Sequence, residues 1–151
     1  MEKGKAFILV GHSNWGKSRT LHKLISPKIR GWWQFKKDIL FFVKTMSNDD
    51  RPDSLLNFVK CITLATKKFV IIALCPHFKD SLSKTNEIIL EIESKYSLFF
   101  FVLRNAYNGG SPITDEEISE LSQHGIVNIL EERLEDISRA MHFRKFIESH
   151  V

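Results

Sequence analysis

Cysteine is scarce: there are only two, Cys61 and Cys75, and their spacing matches no metal or redox motif. A disulfide scaffold is excluded, and both are expected as buried free thiols in a reducing cytosol. Long apolar runs are missing too. Ala6–Val10 is too short for a signal-peptide core, and no stretch reaches membrane-spanning length. This points to a soluble, cytoplasmic chain without membrane association. Seven glycines and four prolines leave no room for a low-complexity linker.

What remains is the composition of one compact domain over residues 1–151, with 43% hydrophobic residues, 26% charged residues and twelve Phe to fill an interior. The net charge of +4 is lopsided: residues 1–75 carry +9 and residues 76–151 carry −5. A basic first half suits an anionic partner, nucleotide or nucleic acid; it is equally what a solvated surface offers.

Short apolar runs alternate with segments of helical period. Strands are predicted at Ala6–Val10, Ile39–Thr45, Phe69–Cys75, Leu98–Leu103 and Ile126–Ile129. Helices are predicted at Lys17–Ile25, ended by Ser26-Pro27, and at Ser54–Thr66, Leu82–Ser94, Asp115–Gln123 and Glu131–Ser149. Thr114 is the expected cap of the fourth helix. The closing helix is expected to bury Leu134, Ile137 and Met141. Strict alternation implies crossover connections, hence a parallel sheet with helices on both faces. Ligands of such sheets bind at the carboxyl ends of the strands.

One loop at such an end carries a complete motif. Gly11-His12-Ser13-Asn14-Trp15-Gly16-Lys17-Ser18 matches G-x-x-x-x-G-K-[ST], with a strand before it and a helix after it. In this pattern backbone N–H groups cradle phosphate oxygens, the lysine reaches the β and γ phosphates, and the serine hydroxyl binds Mg²⁺. The helix N-terminus adds partial positive charge. The nucleotide-binding candidates are therefore Gly11 to Ser18, together with Arg19. His12 lies within the motif and either contributes to the loop or simply sits outside it.

On these residues the chain resembles the P-loop NTPase superfamily. The resemblance implies a three-layer α/β sandwich with a five-stranded parallel sheet, the third strand beside the first, and Mg²⁺ with ATP or GTP across the loop. A helix between the second and third strands resembles the kinase-like branch, with small kinases such as shikimate or adenylate kinase, rather than translation-factor-like GTPases. Kinases of this kind place acids after the second strand, and Asp49-Asp50 stand there. A carboxylate at that place holds Mg²⁺ or accepts a proton from an acceptor hydroxyl. The alternative is helix capping by Asp50 or Asp53 beside Pro52.

Two departures are visible. The third strand ends Leu74-Cys75-Pro76-His77 instead of in an acid, with Asp80 the nearest carboxylate. The loop after the fourth strand offers only Arg104, either to neutralise transition-state charge or to pair with a surface carboxylate. Asn105 and Asn108 resemble the base-reading stretch of GTPases without its final Asp, so adenine is the expected base. Trp32-Trp33, flanked by Lys28, Arg30, Lys36 and Lys37, either stack nucleic-acid bases or seal a sheet edge or partner interface. Catalytic candidates are Lys17, Asp49, Asp50 and Arg104; metal candidates are Ser18 and Asp49. The leading expectation is a phosphotransferase or NTP hydrolase. The competing one is a nucleotide-dependent switch or ATPase subunit with a protein or nucleic-acid partner.

Overall fold

A computed structural model describes residues 3–25, 31–106 and 111–151. The sequence features at Ser26, Pro27, Lys28, Arg30 and Asn108 lie outside the described residues.

Six strands and five helices are present among the described residues: β1 (Gly4–Val10), α1 (Lys17–Leu24), β2 (Trp32–Lys36), β3 (Ile39–Lys44), α2 (Pro52–Leu64), β4 (Phe69–Leu74), α3 (Thr85–Glu93), β5 (Tyr96–Leu103), α4 (Asp115–Ser122), β6 (Gly125–Leu130) and α5 (Asp136–His150). They form one sheet in the order β2-β3-β4-β1-β5-β6. All neighbours are parallel except β2 and β3, which make an antiparallel hairpin. β4 lies directly beside β1, with Ile8 opposite Ile72.

The alternation of side chains along β1 divides the core. Ala6, Ile8 and Val10 face one way, onto α2, α3 and α4 through Leu55, Val59, Ile88, Ile92 and Leu121. Phe7 and Leu9 face the other way, onto α1 and α5 through Leu21, Leu24, Phe143 and Phe146. The result is three layers, helix–sheet–helix. β4 is buried on both faces from Val70 to Leu74, as expected of a central parallel strand with a continuous apolar sequence. Phe7 is fully buried, stacks on Phe99 at 4.9 Å between ring centroids, and meets Phe41 and Phe146 edge-on. Removing one such ring costs about 3–5 kcal/mol.

Three expectations are corrected. The sheet has six strands, not five, and is not wholly parallel, because Trp32–Lys36 pairs with β3 as an edge strand. Its two Trp residues split by the strand period. Trp33 packs on Phe35 and Phe41 with the Arg144 guanidinium over its ring, while Trp32 stays 47% exposed. Sealing the edge is thus the role of Trp33. The closing helix begins at Asp136, and its buried face is Arg139, Ala140, Phe143, Phe146 and Ile147. Ile137 and Met141 are 53% and 60% exposed; the larger Phe rings take the inward stripe. Cys61 is exposed on α2, whereas Cys75 is buried, and both are free thiols. Among the described residues no helix is long and apolar enough to cross a membrane.

Candidate functional site

The loop from Gly11 to Gly16 grows out of the middle of the sheet. The Gly11 N–H donates to Leu74 O at 3.1 Å, so the loop starts where β1 and β4 end together. Trp15 N–H donates back to His12 O at 3.3 Å and closes a turn. Asn14 and Gly16 both have positive φ, 63° and 79°. Glycine takes this conformation without a Cβ penalty, and asparagine is the side chain that tolerates it best. Gly16 is the N-cap of α1, which has no side-chain cap and no acid in its first turn. α4, by contrast, carries a full capping box in which Thr114 and Glu117 satisfy each other's backbone N–H groups. The start of α1 is therefore electropositive and uncapped. Ser18 and Arg19 are exposed on that first turn.

Lys17 is the hub. Its side chain is 5% exposed, and Nζ donates to Gly11 O and His12 O, both at 2.8 Å. Asp49 Oδ1 stands 3.9 Å away. Burial holds the ammonium below its ordinary pKa, and Asp49 opposes that shift. The Asp49 oxygen is buried and has no hydrogen-bond partner among the described residues. Asn48 explains its position. The buried Asn48 Nδ2, with two hydrogens to donate, lies within hydrogen-bonding distance of Cys75 O, Ser83 O and Thr85 Oγ1, and the side-chain oxygen accepts from Cys75 N–H at 2.7 Å. One side chain thus pins the segment after β3 to the end of β4 and presents Asp49 to Lys17.

The other sequence candidates divide. Asp50 is exposed, and α2 is capped by neither Asp50 nor Asp53: its N-cap position is Arg51, with no side-chain cap. Asp53 pairs with Lys84 instead. Arg104 hydrogen-bonds to Asp115 at 2.8 Å, the surface pairing rather than an approach to the loop. Asn105 donates to Glu131 O. Asp80 is exposed and accepts from Leu82 N–H, a turn contact.

Sequence reasoning missed the arginine that does reach the loop. Arg139 comes from α5, is 3% exposed, and donates to Trp15 O and to Asn105 O. Burial lowers its pKa, with Asp136 opposing. Only its distance in sequence hid it; its position among Ala140 and Phe143 gave no local sign. It joins the Gly11–Gly16 loop to the loop after β5.

Cys75 follows directly on β4; burial pushes its thiol up to about 12, partly countered by Lys17. His12 does face the site. Its ring meets Trp15 edge-on at 4.9 Å and stacks against His77 at 5.6 Å, and its Nε2 is 3.6 Å from Glu117 Oε1. Burial lowers the His12 pKa, while Glu117 raises it. Beyond His77 a cleft of about 880 Å³ runs between Pro76–Asp80 and α4, lined also by Asn86, Thr114 and Glu117. A cleft of this size beside a charged loop has room for a small organic ligand.

No protein-family model, curated protein or solved structure matches the chain.

Proposed function

We propose that the chain belongs with the kinase-like P-loop NTPases and binds a nucleoside triphosphate with Mg²⁺ at Gly11–Ser18. One observation carries the reading: a buried lysine, held by its own loop's carbonyls, faces at 3.9 Å a buried carboxylate oxygen that accepts no hydrogen bond among the described residues, beside an uncapped helix start. Phosphate would replace those carbonyls as the acceptor for Lys17 and would meet the free N–H groups of α1. The strand order supports the reading, since the third of the five parallel strands, β4, is the neighbour of β1.

The residues present fit a magnesium ion. Ser18 and Asp49 would hold it, and its charge would offset that of the β and γ phosphates. Asp49, which faces Lys17, rather than the exposed Asp50, would then accept a proton from the attacking water or hydroxyl. The reaction on this reading is hydrolysis or transfer of the γ-phosphoryl group, with ATP the favoured nucleotide. A second reading, a nucleotide-dependent switch working with a protein or nucleic-acid partner, is favoured by Arg104. Asp115 holds its guanidinium, so neutralising transition-state charge falls to another group.

Calorimetry with ATP and GTP, with and without Mg²⁺, tests the site. Lys17→Ala should weaken binding about 30- to 150-fold, the equivalent of about 2–3 kcal/mol for a charge-assisted contact. Wild-type affinity in that variant would refute the assignment. Turnover raised by a protein or nucleic acid, but by no small acceptor, would select the switch.

A further inference from the structure

We propose that His12, Cys75 and His77 form a site for a soft divalent transition-metal ion of the Zn²⁺ class, tying the phosphate loop to the end of β4. The ligand atoms of the three residues all lie within 4.8 Å of one another. Tetrahedral zinc bonded to nitrogen and sulfur at its usual lengths separates its ligand atoms by about 3.3–3.8 Å. Closing the set takes side-chain adjustment of about 1 Å, not backbone rearrangement.

The local chain explains why these groups meet. His77 N–H donates to Cys75 O at 2.9 Å, so the chain folds sharply around Pro76. That turn brings the thiol and the imidazole together. His12 arrives from the other side, on the loop that leaves β1, and its ring lies within 26° of parallel to that of His77. Glu117 stands 3.6 Å from His12 Nε2. With the other ring nitrogen bonding the metal, this carboxylate would be placed to orient the imidazole and raise its basicity. Glu117 favours a cation there, and Asp49 offsets the charge of the neighbouring Lys17. A thiolate with two imidazoles selects zinc-like ions over magnesium, which takes oxygen ligands. The site is therefore chemically distinct from the one at Ser18 and Asp49. Access is open, since His12 and His77 are half-buried and His77 lines the cleft. On coordination the thiol proton passes to solvent and the sulfur bonds the metal. Three protein ligands leave a fourth position for water. With the ion in place, His12 can no longer swing away from β4, and the loop's first turn is fixed.

Co²⁺ titration of chelator-stripped, nucleotide-free protein tests this, on a Cys61→Ser background that removes the exposed thiol. Because no nucleotide is present, the outcome is independent of whether the loop binds one. The expected result is one Co²⁺ per chain, a thiolate-to-cobalt charge-transfer band in the near ultraviolet, and displacement by Zn²⁺ but not by Mg²⁺. Cys75→Ser should abolish the band. His77→Ala should weaken apparent affinity at least about tenfold, the scale on which even outer partners of a metal matter. If Cys75→Ser does not fold by circular dichroism, His77→Ala and His12→Ala, both at half-exposed positions, decide the matter. The absence of a band, a band surviving in folded Cys75→Ser, or wild-type affinity in both histidine variants would overturn the proposal.

Discussion

Asp49→Asn is the substitution that most sharply separates the parts of the site. At the observed 3.9 Å from Lys17, two unit charges attract by about 4 kcal/mol at an effective dielectric constant of 20. Lys17 keeps its two carbonyl acceptors in the variant, so part of that attraction is already offset. We expect a net loss of about 2–3 kcal/mol, which in a chain of this length lowers Tm by about 5–10 °C. Asp50→Asn should change stability by less than about 0.5 kcal/mol, because Asp50 is exposed. Lys17→Met combined with Asp49→Asn leaves no lone charge. The double-mutant cycle should therefore show coupling of about 2 kcal/mol. The functional sign is opposite. With a negative charge removed, affinity for ATP in the absence of Mg²⁺ should rise, the enhancement by Mg²⁺ should shrink, and turnover should fall by a factor of about 10² or more. Thermal melts, calorimetry with and without Mg²⁺, and a phosphate-release assay measure the three effects. If Asp49→Asn melts and turns over like the wild type, or if Asp50→Asn loses as much stability and turnover as Asp49→Asn does, Asp49 is not the carboxylate that the site depends on.

Two further outcomes follow from buried cations. Arg139→Leu leaves Trp15 O and Asn105 O without their donor; it should cost about 1–3 kcal/mol and weaken nucleotide binding, with Arg139→Lys intermediate, and wild-type affinity in the Leu variant would remove Arg139 from the loop's support. Lys17 has a folded-state pKa below its ordinary value of 10.5 because burial disfavours its charge. Between the depressed and the ordinary value the unfolded chain holds more protons, so this lysine's contribution to stability rises with pH across that window. Nucleotide affinity should fall over the same window as Lys17 loses its charge, and a fall of equal size in Lys17→Ala would trace it to another group.

How far the site could be read in advance depended on whether its parts are close in sequence. The strand, loop and helix spanning Gly4–Leu24 were legible because the motif and its apolar lead-in are contiguous. The five parallel strands were legible from their apolar runs. β2 was not, because two adjacent Trp residues masked a period of two in which Trp33 and Phe35 point in and Trp32, Gln34 and Lys36 point out. On α5 two stripes of helical spacing competed. Ile137 and Met141 looked like the core, but Phe143 and Phe146 bury more area and won. Asp49 was distinguishable from Asp50 only through Asn48, whose side-chain nitrogen reaches residues 75, 83 and 85. Arg139 and the meeting of His12 with His77 are long-range contacts that local spacing does not encode.

The bond from Arg139 to Trp15 also sets an order in time. It spans 124 residues, which a ribosome adding about 5–20 residues per second needs about 6–25 s to make. During that interval Gly11–Ser18 has already been synthesised, yet α5, which braces it, does not exist. The strands on either side of β1 also come later in the chain, β4 before β5. On the proposed reading, a nascent chain carries the whole motif long before it can grip a ligand there. Ligand present during synthesis should protect the motif from protease only after residue 139 has emerged.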